Sequence, residues 1–567
     1  MEESTTLTKI RERFGDAVLS THSRLGEDTV VVARSHIVEL AGFLKEDPEL
    51  RFDVLMDLTA VDYWKRKPRF EVVYHFLSVP FLKRLRVKVP VGEDDPEVDS
   101  LSALWRGANW YEREAYDMFG IRFRGHPDLR RILMYPEFEP SHPAMHGVIR
   151  IRTIADGEFV KDAEIDIGYL HRGFEKHCES STYTQCFPYT DRLNYVSPLI
   201  NNFGFAMAVE KLMGLQVPER CEYIRVIMSE LSRIGDHLTC VGASAMELGA
   251  FTVFLYMMKA REWIYELVES VTGARLTISY ARVGGVKGDL PAGFEDRCRV
   301  LIDKVAGVLD EVDTLVTRNR IFYDRLRDIG VVTQEQILSY GITGPFMRST
   351  GIEYDVRKAF PYHVYDRFDF DIPIGERGDN YDRYLVRMEE MRQSIRIVHQ
   401  ALDTLPAGPT NVDAEGRVIS PDLMADLGKF GKTAGLLKNE VLIEPTLAGS
   451  EKKFHSGVYA DDREAWLPAK EQIYSNIEAL MNHFKIVMLG HGLRPPKGEA
   501  YSCVEGGNGE LGFYVVSDGT DRAWRVRCHP PCFPIMAGLH EILRGGQIAD
   551  IIATFGSVNM IAGELDR

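Results

Sequence analysis

Between residues 29 and 91, valine, leucine and phenylalanine fall in short runs with partial alternation at 29–34, 51–58, 69–77 and 82–91, separated by polar segments. Runs of that length and period predict four strands. A helix is expected to interrupt them from Ser35, as N-cap, through Leu44. Residues 94–119 read as helical and rich in aromatics, after which Gly120, Gly125, Pro136 and Pro140 mark a boundary. The pattern predicts a small α+β domain over 1–138.

Past a strand-like entry at 147–154 the period changes to that of helices. Over 219–241, which follows Pro218, apolar Ile227, Leu231, Ile234, Leu238 and Val241 recur at alternating intervals of four and three, a core-facing helical stripe. Glu230, Arg233 and His237 share another face of the same helix. On spacing alone this trio reads as a satisfied ion-pair network, Tyr195 as core, and Glu112, Glu114 and Asp117 as a solvated or interface face. Leu301, Val305, Val308, Val312 and Leu315 repeat the helical stripe, and 380–402 makes another long helix after the turn Gly375-Glu376-Arg377-Gly378. Residues 405–468, polar with scattered glycine and proline, are expected to run over the surface. A helix at 471–490 and strands at 512–517 and 524–528 close the chain. The fold class is α+β, with a large, mainly helical second domain over 139–567 that carries small β elements.

A chain of 567 residues has room for two or more domains and a sizeable core. With 45% hydrophobic and 27% charged residues, neither disorder nor a fibrous repeat is expected. The net charge of −16 opposes gripping a phosphate backbone, so nucleic acid is excluded as a main partner. Eight cysteines spread over 178–532 are too sparse for a disulfide scaffold and point to a reducing, cytoplasmic compartment. The start, Met1-Glu2-Glu3-Ser4, has no basic or apolar character of a secretory signal. The most apolar long stretch, 238–258, carries Glu247 at its centre, which speaks against a membrane span.

G-x-G-x-x-G occurs at 507–512, but Phe513-Tyr514-Val515-Val516 continues it as a strand, where a dinucleotide fingerprint opens a helix. Pro143 between His142 and His146 removes a helical metal face, and Cys528-His529-Pro530-Pro531-Cys532 lacks a second cluster to complete four ligands. Buried packing is the expectation for those two thiols. Neither a serine nucleophile elbow nor a Walker loop is present.

Longer motifs are more specific. W-Y-E-R-E-A-Y-D-M-F-G-I at 110–121, followed by G-H-P-D-L-R-R-I-L at 125–133, closely resembles the signature of the C subunit of respiratory complex I. S-H-P-A-M-H-G at 141–147, G-Y-L-H-R-G-F-E-K at 168–176, Y-T-D-R-L-N-Y at 189–195, the stretch 225–237, R-V-G-G-V-K-G-D-L-P at 282–291, Y-D-V-R-K at 354–358, P-P-K-G-E at 495–499 and the closing G-E-L-D-R resemble the D subunit. The resemblance covers nearly the whole chain, in the order of the fused C/D subunits.

In that family the D component descends from the large subunit of nickel-iron hydrogenases, so the resemblance implies that fold for the second domain. The four thiolates that hold nickel in hydrogenases are missing. Asn194 and Ser197 stand at the first pair, and Asn559, Met560, Ile561, Glu564 and Arg567 align with the C-terminal D-P-C-x-x-C-x-x-H pattern. A soft metal site is therefore lost, and no metal or cofactor is expected on this chain itself.

What the resemblance implies for the vacated cavity is a quinone, reduced with electrons from an iron–sulfur cluster in a neighbouring subunit. His146 and Tyr195 match the quinone-ligating positions, and both residue types can donate protons near their hydrogen bonds. Glu247 stands where the family has an aspartate partner of that histidine, one methylene longer. Arg192 and His237 match positions near the partner's cluster. Partners implied are a cluster-bearing B-type subunit, an I-type subunit and a membrane H-type subunit, with this chain peripheral on the cytoplasmic side of the inner membrane. Departures from the family are the compressed C-to-D connection at 137–140, asparagine at 194 and 559 where aspartate is usual, His529 in place of an arginine, and the longer 405–468 excursion. The implied activity is that of a proton-translocating NADH:quinone oxidoreductase. The alternatives are the same subunit in an enzyme fed by ferredoxin or another donor, and a non-catalytic scaffold.

Overall fold

The computed structural model of the chain describes residues 4–64, 66–133, 149–412, 418–419, 474–475, 477, 480–481, 484 and 493–567. The N-terminal region starts with α1 (Thr5–Phe14), capped by Ser4, and continues through β1 (Val18–Arg24), β2 (Glu27–Val32), α2 (Ile37–Glu46), β3 (Val54–Asp62), β4 (Phe70–Ser78), β5 (Lys83–Val91) and α3 (Ala108–Phe119). Its sheet has the order β1-β2-β5-β4-β3, antiparallel except for the parallel pair β2 and β5.

The hairpin β6 (Arg150–Asp156) and β7 (Phe159–Asp166) leads into the helical region. There α4 (Pro198–Met213), α5 (Glu219–Glu247), α6 (Phe251–Thr272), α7 (Phe294–Val312) and α8 (Asn380–Asp403) form the main core. The three-stranded antiparallel sheet β8 (Gly498–Glu505), β9 (Glu510–Ser517) and β10 (Ala523–His529) follows, then α9 (Cys532–Leu543), α10 (Asp550–Val558) and α11 (Ala562–Asp566). The architecture is mixed α+β, rich in strands at the N-terminus and in helices beyond it. Among the described residues no helix is long and apolar enough to cross a membrane.

The N-terminal sheet is covered on both faces. One face packs with α1, α2 and α3 and also with Phe533, Ile535 and Met536 of α9. On the other, Val61 and Val73 meet Tyr501, Tyr514 and Val516 of the C-terminal sheet. Double coverage explains why β3 and β4 read as nearly continuous apolar runs with only partial alternation. It also brings buried charge into the seam. Arg527 of β10 donates to Asp57 of β3 at 2.7 Å and is paired with Glu114 of α3, while Arg84 of β5 donates to both oxygens of Glu510 at 2.8 Å.

Several sequence expectations change. The helix expected over 94–119 is confined to Ala108–Phe119, because Pro96 disfavours helix at the residue before it. Residues Glu97–Asp99 instead pair as a strand with Arg122–Arg124. Helix α2 starts at Ile37 after a 3₁₀ turn, so Ser35 is not its N-cap. The stripe ending at Leu315 breaks: a π-turn over Asp313–Thr317 advances the register by one residue, leaving Leu315 48% exposed and burying Val316. Glu112 and Glu114 are buried and not on a solvated face. Glu112 accepts from the Leu101 amide and the Ser100 hydroxyl, and burial pushes its pKa up to about 8. Asp117 accepts the amides of Ile132 and Leu133.

The stripe Ile227, Leu231, Ile234, Leu238 and Val241 is buried, as its spacing requires. Glycines 506, 507 and 509 lie in the turn between β8 and β9, which is not a dinucleotide-binding element. All eight cysteines are free thiols, and Cys528 and Cys532 are buried. Of the 405–468 excursion, Asn411–Val412 pairs in a small sheet with Gly285 and with Val418–Ile419, whereas 413–417 and 420–468 fall outside the described residues. The 471–490 helix is largely outside them too.

Candidate functional site

Two sequence motifs nearly 400 residues apart interlock. Asp566, in the closing motif, accepts the amides of Gly168 at 3.0 Å and Leu170 at 2.8 Å, so the loop 168–172 is tied to the C-terminal segment. Burial raises the Asp566 pKa to about 6. Arg172 of that loop donates to the carbonyls of Arg192 at 2.9 Å and Gly563 at 3.3 Å. A Cβ on Gly563 would lie 2.5 Å from the Arg192 carbonyl oxygen and 2.7 Å from that of Leu193. Only glycine permits this approach.

The turn thus clamped carries Tyr195. Asn194 accepts the Val196 and Ser197 amides at 3.1 and 3.3 Å, an Asx turn that starts α4, and its carbonyl accepts from Asn201 at 3.0 Å. Leu193 and Val196 point into the core, which leaves Tyr195 outward. At 48% exposure it is not a core tyrosine, and its hydroxyl makes no hydrogen bond within the described residues. Arg192, on the same turn, is also half-exposed and donates to the Pro188 carbonyl.

Behind the turn lies a closed polar pocket. Asp236 of α5 accepts from Asn194 at 3.0 Å and Ser197 at 2.8 Å through one oxygen, and from Asn559 at 2.8 Å through the other. Asn559, in the left-handed conformation at the end of α10, also donates to Asn508, which reaches back to the Asn559 carbonyl and the Cys532 thiol. Glu564 accepts the Cys532 amide at 3.1 Å, and burial pushes its pKa up to about 7. This donor set does not fit nickel. The side chains gathered here, Asn194, Asn559, Ser197 and Glu564, offer two amides, a hydroxyl and a carboxyl, burial keeps the Cys532 thiol protonated, and among the described residues no group of three ligating side chains is placed to hold a metal. Asp236 gave no signal by spacing, since it stands one residue off the face of Glu230, Arg233 and His237.

That face is an ion-pair network, as spacing suggested. Glu230 accepts from Arg233, Arg357, Tyr365 and Ser394, which hold its pKa down against the cost of burial. His237, fully buried, shares a 2.7 Å hydrogen bond with Glu390, which also binds Arg348. Burial pushes the His237 pKa down, opposed by Glu390. Glu247, at the end of α5, lies against α10, where a Cβ on Gly556 would come within 2.5 Å of its carboxylate. His146 falls outside the described residues, so the structure joins Tyr195 to the Asp236 pocket but shows no His146 pairing.

Comparison with known proteins agrees with the motifs. The family model of the respiratory-chain NADH dehydrogenase 49 kDa subunit matches residues 247–567, and that of the 30 kDa subunit matches 30–147. The fused C/D subunit of the NADH-quinone oxidoreductase of Bdellovibrio bacteriovorus is 40% identical across 96% of both chains. The D subunit of the Myxococcus xanthus enzyme is 48% identical over 76% of this chain and 91% of its own, and the D 1 subunit of the Sorangium cellulosum enzyme 49% identical over 76% and 94%.

Proposed function

The chain belongs to the family of fused NADH-quinone oxidoreductase C/D subunits of complex I, and from that premise we propose that residues 1–138 form its C-type domain and 139–567 a D-type domain of the hydrogenase large-subunit fold, whose vacated metal pocket serves quinone reduction. In this reading the quinone head-group sits between Tyr195 and His146. Two electrons arrive from an iron–sulfur cluster of a B-type neighbour, and the two carbonyl oxygens take protons from the phenol and the imidazole, giving quinol. Glu247 orients His146. Arg192 and His237 lie toward the partner's cluster, where positive or donor groups raise the potential of an added electron. The chain is peripheral on the cytoplasmic side of the inner membrane, against I-type and membrane H-type subunits.

The observation that carries this reading is the half-exposed Tyr195, held by an Asx turn and a glycine contact and next in the chain to Asn194, which enters a pocket whose donors do not fit nickel. A buried structural tyrosine would need none of this arrangement. His146→Ala tests it. In the assembled complex, quinone reduction is expected to fall about a hundredfold while NADH-to-ferricyanide electron transfer, which bypasses the quinone, stays normal. Undiminished quinone turnover contradicts the assignment.

A further inference from the structure

Lys497 and Glu499 of the motif P-P-K-G-E line a cleft of 880 Å³ between the N-terminal sheet and the C-terminal one. A cavity of that size lies in the range of small-molecule sites, about 300 to 1,000 Å³. Its walls come from β1 and β5, the turn between β3 and β4, the start of β8, and Trp524 of β10.

The floor of the cleft is balanced in charge. Lys88 of β5, 6% exposed, donates to Glu71 of β4 at 3.0 Å and to Glu499 at 2.6 Å. Arg86 pairs with Glu499 at 3.4 Å and also with Glu27. Although burial opposes it, Arg86 and Lys88 hold the Glu499 pKa down to about 2. The floor acids are thus ionised and already matched. The rim is different. Arg24, Arg66, Lys67 and Lys497 are exposed, and none of them makes an ion pair among the described residues. The rim acid Asp518 accepts the amide and hydroxyl of Thr520. Single unpaired cations on a surface are ordinary. Four around one cleft, on a chain of net charge −16, make a local field opposite in sign to that of the whole.

The same cleft shows aromatic surface to solvent. Trp64 is 61% exposed and Trp524 37%, where folding ordinarily hides most of an indole. Both rings are held. Trp524 stacks on Tyr63 with ring centroids 6.4 Å apart at 14°, and its indole N–H donates to the Asp62 carbonyl at 3.0 Å. Arg69, bonded to both oxygens of Asp62, lies 4.4 Å from the Trp64 ring centre. Arg66 lies 4.5 Å over the Tyr63 ring, so stacking and not an acid positions its charge. Fixed rings beside unneutralised cations supply the two contacts that a base and its phosphates require.

We propose that this cleft binds a nucleoside polyphosphate, its phosphates among Arg24, Arg66, Lys67 and Lys497 and its base against the exposed indoles of Trp64 and Trp524. Phosphate groups keep their charge at neutral pH, with a second pKa of about 6, and so match the rim. A bare polyanion would use the rim alone, and a neutral nucleoside the indoles alone.

The test is photolabelling of the assembled complex with 8-azido-ATP, mapped by peptide on this chain to separate it from nucleotide sites on other subunits. Label is expected on the peptides spanning 62–70 and 516–525. About 1 mM ATP should remove it, tripolyphosphate should need about tenfold more, and adenosine should leave it in place. Lys67→Glu joined to Lys497→Glu, both on the surface, is expected to raise the ATP needed for protection about tenfold, with normal NADH-to-ferricyanide transfer as the sign of intact assembly. Trp64→Ala should bring ATP down to the level of tripolyphosphate. Label only elsewhere on the chain, tripolyphosphate protecting as well as ATP, or undiminished protection in the double lysine variant overturns the proposal. So does label that reaches these peptides only after the subunits are separated, since a neighbouring subunit then fills the cleft.

Discussion

Replacing Arg527 by leucine lowers the unfolding free energy of the full chain by about 3 to 5 kcal/mol, the cost of removing one partner from a buried ion pair. Arg527 is 1% exposed and joins β10 to β3 and α3 through Asp57 and Glu114, with Glu175 at 3.3 Å. Without it, the one salt-bridge partner left to Asp57 among the described residues is His529, at 4.0 Å. Glu114 and Glu175 retain Arg567, and Glu175 also Arg525, so the loss concentrates at Asp57. The effect depends on pH with a defined sign. Against the cost of burial, arginines 525, 527 and 567 hold the Glu175 pKa down to about 2 from 4.5, and Arg527 holds Asp57 well below its usual value. A carboxylate with a depressed folded pKa contributes stability above its unfolded pKa and loses it as the pH falls. The gap between wild type and Arg527→Leu should therefore be full above about pH 4.5 and shrink toward pH 2. Denaturant unfolding of the first transition at pH 7 and pH 3 checks it, and an equal gap at both would refute the ion-pair explanation.

Tyr195→Phe carries the largest functional effect. Its hydroxyl is outward and bonds to no described group, so removing it should leave the unfolding midpoint unchanged within about 0.5 kcal/mol. Its contribution as a positioned proton donor is about a hundredfold in rate. Quinone reduction by the assembled complex should fall by that factor while ferricyanide reduction and assembly remain normal. A variant with stability lost and turnover kept would make the tyrosine structural.

Much of the fold could be read along the chain where one physical signal dominated. The stripe of α5 and the strands β4 and β5 stood out because burial and period coincide there. Strand β1 did not. Its residues are half-buried or exposed on a sheet edge and carry little apolar pattern. The π-turn after α7 left no local mark, because a one-residue shift of register arises from packing and not from composition. Glu112 and Glu114 looked like a solvated face because their compensating partners, Ser100, Arg527 and Arg567, lie at distances in sequence that spacing cannot bridge.

The site divides in the same way. Tyr195 emerged from motif likeness, whereas residue type alone would have put it in the core. Asn194 and Asn559 looked like lost acids until the fold placed both on Asp236. That carboxylate becomes visible only when α4, α5 and the C-terminal segment are brought together.

The central claim, a quinone head-group held at Tyr195 and His146, is tested most directly by light-activated labelling of the assembled complex with an azidoquinone. Label on this chain is expected on the peptides spanning 141–147 and 189–197, and should disappear when excess ordinary quinone is present. Label that resists competition, or that maps only to other parts of the complex, would contradict it.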